Sequence, residues 1–136
     1  MASRSRILIG NKVLFGPNVT VIGGNHNTSV NGKYLYDVLE KRPGDDQDIT
    51  FEDDIWVGSN VTILKGVTLG RGCVIGAGSL VNKSIPPYAI AAGIPAKVKK
   101  FRFDAPTILS HEERLYTPGK RLKKEYIYSL FDGLTK

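Results

Sequence analysis

Few side chains in this chain are equipped for chemistry at neutral pH, which makes each one informative. There are two histidines, His26 in the segment GGNHNTS and His111 near the end, and one cysteine, Cys73. A neutral imidazole accepts protons near pH 7, so His26 is a candidate general base, with an ordinary surface histidine as the bland alternative. His111 lies in a stretch that reads as surface. A lone thiol closes no internal disulfide, and one cysteine without neighbouring ligands frames no zinc site, so no metal is expected.

The elements that must position His26 are written in a six-residue repeat. From Ile49 onward an apolar residue returns at Phe51, Val57, Ile63, Leu69, Ile75 and Val81. Two residues before each stands a second small or apolar residue: Ile49, Ile55, Val61, Val67, Cys73 and Ser79, with Ile85 continuing the series. Such alternating pairs predict very short strands. Gly66, Gly72 and Gly78 each fall three residues after a beat, where a tight corner calls for positive φ. Helical apolar spacing is three and four, and a sandwich places its turns every 8 to 12 residues, so neither fits. Three hexads make one triangular coil, which stacks Phe51 beneath Leu69 and Val57 beneath Ile75. The same beat runs through Ile9, Phe15 and Val21, giving an all-β solenoid, a triangular prism of about three coils. Cys73 falls on an inward position, which disfavours it as a nucleophile.

His26 ends the first block of repeats. Residues 27–48 then leave the pattern as a long loop excursion, too long to be routine in a compact domain. At 136 residues the chain fits one β-helix domain, residues 1–103, followed by a partly helical tail, residues 104–136. In the tail, Ser110 stands three before Glu113 as in a capping box, and Pro118 opens a second helical stretch in which Leu122, Tyr126 and Leu130 share helical spacing. The net charge of +6 is concentrated in the tail, where it suits a phosphate-bearing ligand as well as a solvated surface. Basic and aromatic residues do not interleave as a single-strand binder requires, so no nucleic-acid partner is expected. No apolar run approaches the roughly 20 residues of a membrane span, and the first six residues are too polar for a signal peptide. The expected setting is cytoplasmic.

The runs WVGSNVTILKGVTLGRGCVIGAGSLV and NKSIPPYAIAAGIPAKV resemble the hexapeptide-repeat acyltransferases, in particular the galactoside and maltose acetyltransferase branch, over roughly residues 7 to 101. The resemblance implies a left-handed parallel β-helix, a homotrimer with sites between subunits, and transfer of an acetyl group from acetyl-CoA to a sugar or saccharide hydroxyl. It places the catalytic base at His26, eight residues beyond Asn18 of the PNVT segment. It makes Ser59 of WVGS a donor to the oxyanion and to CoA, and runs the pantetheine arm past Gly58, Gly76 and Ala77. The nucleotide end falls to Lys83, Lys97 and Lys100, with Asn82 standing where relatives often carry threonine. Asn25 and Trp56 would meet the acceptor. Acetylation of an antibiotic-like acceptor and a non-catalytic β-helix scaffold are the alternatives. A carbonic anhydrase of the same fold would need three zinc-binding histidines and is excluded by the count of two.

Overall fold

The computed structural model describes residues 4–135, which form two compact units, residues up to Lys100 and from Phe101 onward. The first unit is a parallel β-helix. Its first coil comprises β1 (Ile7–Ile9), β2 (Val13–Phe15) and β3 (Thr20–Ile22); its second, β4 (Ile49–Phe51), β5 (Ile55–Val57) and β6 (Thr62–Leu64); its third, β7 (Thr68–Leu69), β8 (Val74–Ile75) and β9 (Leu80–Val81). Three sheets result, ordered β1-β4-β7, β2-β5-β8 and β3-β6-β9, and β10 (Ala89–Gly93) and β11 (Ala96–Phe101) extend the middle one.

Coil stacking follows the beat. Phe51 pairs with Leu69 and Val57 with Ile75, as the spacing predicts. The residues on the beat from Phe51 to Val81, and those two before each, are all buried, Cys73 and Ser79 included. The first coil is paired on one side only. Its inward-facing Ile9 is therefore 53% exposed and Phe15 44%.

Corners recur every six residues with left-handed backbone at Lys12, Asn18, Asp54, Asn60, Gly66, Gly72 and Gly78. Glycine takes this conformation without cost, and asparagine and aspartate tolerate it better than most residues. The repeat thus persists at the corners of Lys12, Asn18, Asp54 and Asn60 without glycine at the turn. At the top the beat shortens. Ile85 pairs with Leu69 rather than with Val67, and Ile90 with Val74, sixteen residues apart instead of eighteen, across the Pro86-Pro87 corner. Tyr88, itself left-handed and fully buried, closes that corner by laying its ring over Gly72.

The second unit contains α1 (Ala105–Leu115) and α2 (Lys124–Ser129), and its helix boundaries differ from the sequence expectation. Ser110 lies inside α1 rather than capping it; the cap is Asp104, whose carboxylate accepts from the Thr107 N–H at 2.9 Å. Asp at the cap followed by Pro106 in the first turn is the stronger start signal. Pro118 opens only a single 3₁₀ turn, Pro118–Lys120. In α2 the buried residue is Ile127, while Tyr126 is exposed. His111 is half-buried against Phe103, ring centroids 5.3 Å apart, not on the open surface. Buried Glu112 accepts from the Leu122 N–H at 2.7 Å and so fixes the connection between the helices.

Two glycine corners separate backbone strain from packing. At Gly72 (φ +75°) an added Cβ would lie 2.5 Å from the Tyr88 ring, whereas at Gly78 (φ +74°) nothing lies within 4 Å. Gly78→Ala should cost about 1–2 kcal/mol from the left-handed conformation alone. Gly72→Ala should cost about 2–4 kcal/mol, because overpacking against a buried ring adds to that strain. Denaturant midpoints of the two variants check the difference.

Candidate active site

The corner following β2, β5 and β8 carries a groove of about 460 Å³, lined among others by Pro17, Trp56, Ser59, Gly76 and Ala77. Ser59 and Ala77 lie one above the other because β5 and β8 pair in register, Trp56 opposite Val74 and Val57 opposite Ile75. Trp56 is 56% exposed on the outer face of the middle sheet, so it forms a wall of the groove rather than core. Among the described residues no group hydrogen-bonds the Ser59 hydroxyl, which leaves it available as a donor.

The glycines of this corner have a reason in the fold itself. A Cβ on Gly58 would meet the Ala77 nitrogen at 2.7 Å, and one on Gly76 would meet the Ala92 Cβ at 3.0 Å. The space beside each is taken by the coil above, by the Ala77 backbone at Gly58 and by the Ala92 side chain at Gly76, so the fold itself already calls for glycine at both. Ser79 completes the turn by donating to the Gly76 carbonyl at 2.6 Å and accepting from the Gly93 N–H at 3.1 Å, which holds the end of β10 over the groove's upper coil.

His26 lies elsewhere, at the corner that follows β3, where it lines a cavity of about 260 Å³ with Asn25, Lys41 and the backbone of Gly23 and Gly24. It is exposed, and the cavity shares no lining residue with the groove. Within one chain, therefore, His26 and Ser59 occupy different corners of the prism. Asn82 and Lys83 stand at the same kind of corner as His26, after β9, and are exposed. Lys97 and Lys100 project from exposed positions of β11. None of these three lysines has an acidic partner among the described residues, so their charge is available to an anionic ligand.

The excursion leaves and rejoins the coil through a closed neck. Coil one and coil two are 42 residues apart, where the uninterrupted repeat takes 18, so the insertion amounts to 24. Gly24 bridges Asp46, Asn25 N–H donates to the Asp45 carbonyl at 2.8 Å, and Gln47 N–H donates to the Gly23 carbonyl at 2.9 Å. Lys41 crosses the neck, its ammonium donating to the Asn25 carbonyl at 2.7 Å and to Asp46 Oδ1 at 2.9 Å. Lys65 adds a tie to the Gly44 carbonyl and, with the Asn25 amide turned toward the Gly24 carbonyl, donates to its Oδ1 at 3.3 Å. Asn27 turns inward and accepts from the Ser29 N–H and hydroxyl. Among the described residues, neither asparagine beside His26 hydrogen-bonds the imidazole. Lys41 is the residue that sequence reading passes over, because fourteen residues of largely irregular chain separate it from the histidine and no periodicity connects them.

Three carboxyls of the neck are held below the ordinary aspartate value of 3.8: Asp45 by the Arg42 N–H and side chain, Asp46 by the Lys41 ammonium and the Arg4 N–H, and Asp48 by the N–H and guanidinium of Arg6. Among the described residues there is no cluster of three metal-ligating side chains, and no helix is long and apolar enough to cross a membrane.

A parallel β-helix with a six-residue beat, a groove of small residues at one corner and a histidine at the foot of an excursion defines a hexapeptide-repeat protein. Residues 48–83 match the family described as bacterial transferase hexapeptide (six repeats). The chain is 37% identical over 117 residues to a galactoside O-acetyltransferase from Lactococcus lactis, a match covering 85% of this chain and 50% of that protein. Among solved structures it resembles a hexapeptide-repeat acetyltransferase from Vibrio cholerae complexed with acetyl coenzyme A, with a TM-score of 0.63, 34% identity, and 72% of this chain and 50% of the other covered. A galactoside acetyltransferase in complex with coenzyme A gives a TM-score of 0.60 at 33% identity, over 86% of this chain and 52% of the other. The chain belongs to the hexapeptide-repeat acyltransferase family, on the galactoside and maltose acetyltransferase branch, and its helix is left-handed. It spans about half the length of the curated relatives it matches.

A carboxyl with a depressed folded pKa stabilises the fold above its unfolded value and stops doing so as pH falls through the lower folded value. The neck should accordingly keep its ion pairs from neutral pH down to about 4 and loosen below that. Amide exchange at Asn25 and Gln47, corrected for the intrinsic rate, should stay protected at about pH 5 and lose protection progressively as the pH falls below the ordinary aspartate value of 3.8.

Proposed function

We propose that the protein is an acetyl-CoA-dependent O-acetyltransferase acting on a sugar or saccharide hydroxyl, with His26 as general base. The reading is carried by one observation: the only histidine in the β-helix unit stands at the foot of the excursion, exposed in a cavity, and is used for nothing structural among the described residues. The relatives named as galactoside O-acetyltransferases and the coenzyme A complexes support the acceptor class and the donor.

In this mechanism the His26 imidazole removes the acceptor's hydroxyl proton as that oxygen attacks the thioester carbonyl. The Ser59 hydroxyl and nearby backbone N–H groups donate to the oxyanion of the tetrahedral intermediate. Collapse breaks the C–S bond, and the imidazolium returns its proton to the departing thiolate. No acyl-enzyme forms, in keeping with the burial of Cys73. The pantetheine arm lies in the groove beside Ala77, while Lys83, Lys97 and Lys100 meet the phosphates as point charges. Asn25 and Trp56 contact the acceptor.

Because His26 and Ser59 stand on different corners of one chain, the site is complete only where the histidine corner of one copy faces the groove of the next. A homotrimer joined head to tail around a ring achieves this with a single interface. A CoA-borne donor and a small acceptor fit a cytoplasmic enzyme, with neither nucleic acid nor membrane as a partner.

His26→Ala should lower kcat by about 10²–10⁴-fold at unchanged acetyl-CoA affinity; retention of full activity would remove the base assignment. Lys83→Ala should weaken acetyl-CoA binding in calorimetry, and absence of any binding to a folded trimer would favour the scaffold. Mixing denatured and refolded His26→Ala and Ser59→Ala chains tests the shared site. About a quarter of the wild-type rate should return, since a random ring joins two intact half-sites at that frequency, whereas a site within one chain would recover nothing. A panel of galactosides, maltose and antibiotic hydroxyls separates the saccharide reading from the xenobiotic one.

A further inference from the structure

Among the described residues, the neck that Lys41 crosses supports the backbone that leads into His26. At the corner after β3 the chain abandons the coil, so the ladder of inter-coil hydrogen bonds stops at Gly23. From there the position of residue 26 depends on what grips Asn25. Its N–H is taken by the Asp45 carbonyl at 2.8 Å, and its carbonyl, one bond from the His26 nitrogen, accepts from the Lys41 ammonium at 2.7 Å. Lys41 is anchored in turn by Asp46 Oδ1 at 2.9 Å, and the other oxygen of that carboxylate accepts from the Arg4 N–H at 3.1 Å. Both side chains are largely shielded, Lys41 27% exposed and Asp46 14%, so this ion pair is better screened from solvent than the exposed Arg6–Asp48 pair, at 73% and 39%.

We propose that Lys41 is a positioning residue for catalysis: clamped by Asp46, it fixes the Asn25 carbonyl and through it the placement of the His26 imidazole. The inference rests on the reading of His26 as base. Lysine suits the role because one ammonium can donate to a carbonyl and a carboxylate at once, along different directions. The clamp also accounts for a neck built of short hydrogen bonds in a segment with almost no regular structure of its own. Misplacement of a base by about 1 Å is enough to cost on the order of a hundredfold in rate, so a tether two residues removed from the reacting atoms has leverage on kcat.

Kinetics and an independent spectroscopic reading test the proposal on the assembled protein. Lys41→Met should lower kcat by about tenfold to a hundredfold and change the KM for acetyl-CoA less than about twofold. The acceptor KM should move as little, since a ground-state contact is not what is lost. Asp46→Ala should give the same pattern, and the double variant should be no slower than the worse single variant, because the two residues act in one chain of contacts. A kcat within about twofold of wild type, or a rise in acceptor KM at unchanged kcat, would overturn the proposal in favour of a passive surface pair or a substrate-binding cation.

The ring ¹³C–¹H correlations of the two histidines give the second reading without substrate. In Lys41→Met the His26 signal should shift or broaden while His111, in the separate tail unit, stays unchanged; an unaltered His26 signal sinks the proposal. This reading stands apart from the base assignment. If His26→Ala remained active, the proposed function would fail by that result, and the His26 resonance would still decide whether Lys41 governs the histidine's placement.

Discussion

Everything in the first unit depends on a chain that can turn by the same corner every six residues while keeping one side of each strand dry. A strand of two or three residues has no stability alone, and the three strands of a coil do not pair with one another. Stability arises only when an identical strand lies above, so that Val57 covers Ile75 and the backbone groups of one coil are satisfied by the next. Left-handed corners make this possible. Where the side of a coil is approached by another backbone, as at Gly58 beneath Ala77, the side chain must vanish altogether. The requirement is geometric rather than chemical, and glycine meets it at Gly10 and Gly70 as well, where an added Cβ would again lie under 3 Å from the neighbouring coil.

Such a scaffold is regular, and the candidate site lies where its regularity is broken or left open. The groove beside Ser59 and Ala77 belongs to an ordinary corner; it is open because the side chains there are small and Trp56 stands outward on the sheet. His26 belongs to a broken corner. There the coil's own hydrogen bonds end, and a short-range set of side chains, Lys41, Asp46, Lys65 and Arg42 with Asp45, takes over the work of holding the backbone. The excursion beyond the neck carries exposed Tyr34, Leu35, Tyr36 and Leu39, while buried Val38 anchors it.

The separation of His26 from the Ser59 groove is the consequence with the widest reach. A prism with three corners presents the histidine on one and the serine groove on another, and a single chain cannot fold one onto the other without destroying the coils. On the proposed mechanism, pairing different corners of successive copies would bring the two together without new structure and would tie activity to assembly.

Much of this was legible in the residues. The beat from Phe51 to Val81, the stacking eighteen apart, the need for positive φ at Gly66, Gly72 and Gly78, and the burial of Cys73 all follow from a period of six, since an inward side chain every sixth residue has no other compact solution. Helical segments in the tail were legible too, although Asp104 rather than Ser110 caps the first, because a start signal is decided by which carboxylate or hydroxyl meets a free N–H at the turn. Composition and spacing could not set the hand of the helix; likeness to known structures did. Nor could spacing reveal that Ile85 pairs with Leu69, that the space beside Gly58 is filled by Ala77, or that Lys41 reaches the Asn25 carbonyl. These contacts join residues through irregular chain, where no period operates and the partner is chosen by which groups the folded coils happen to leave within reach.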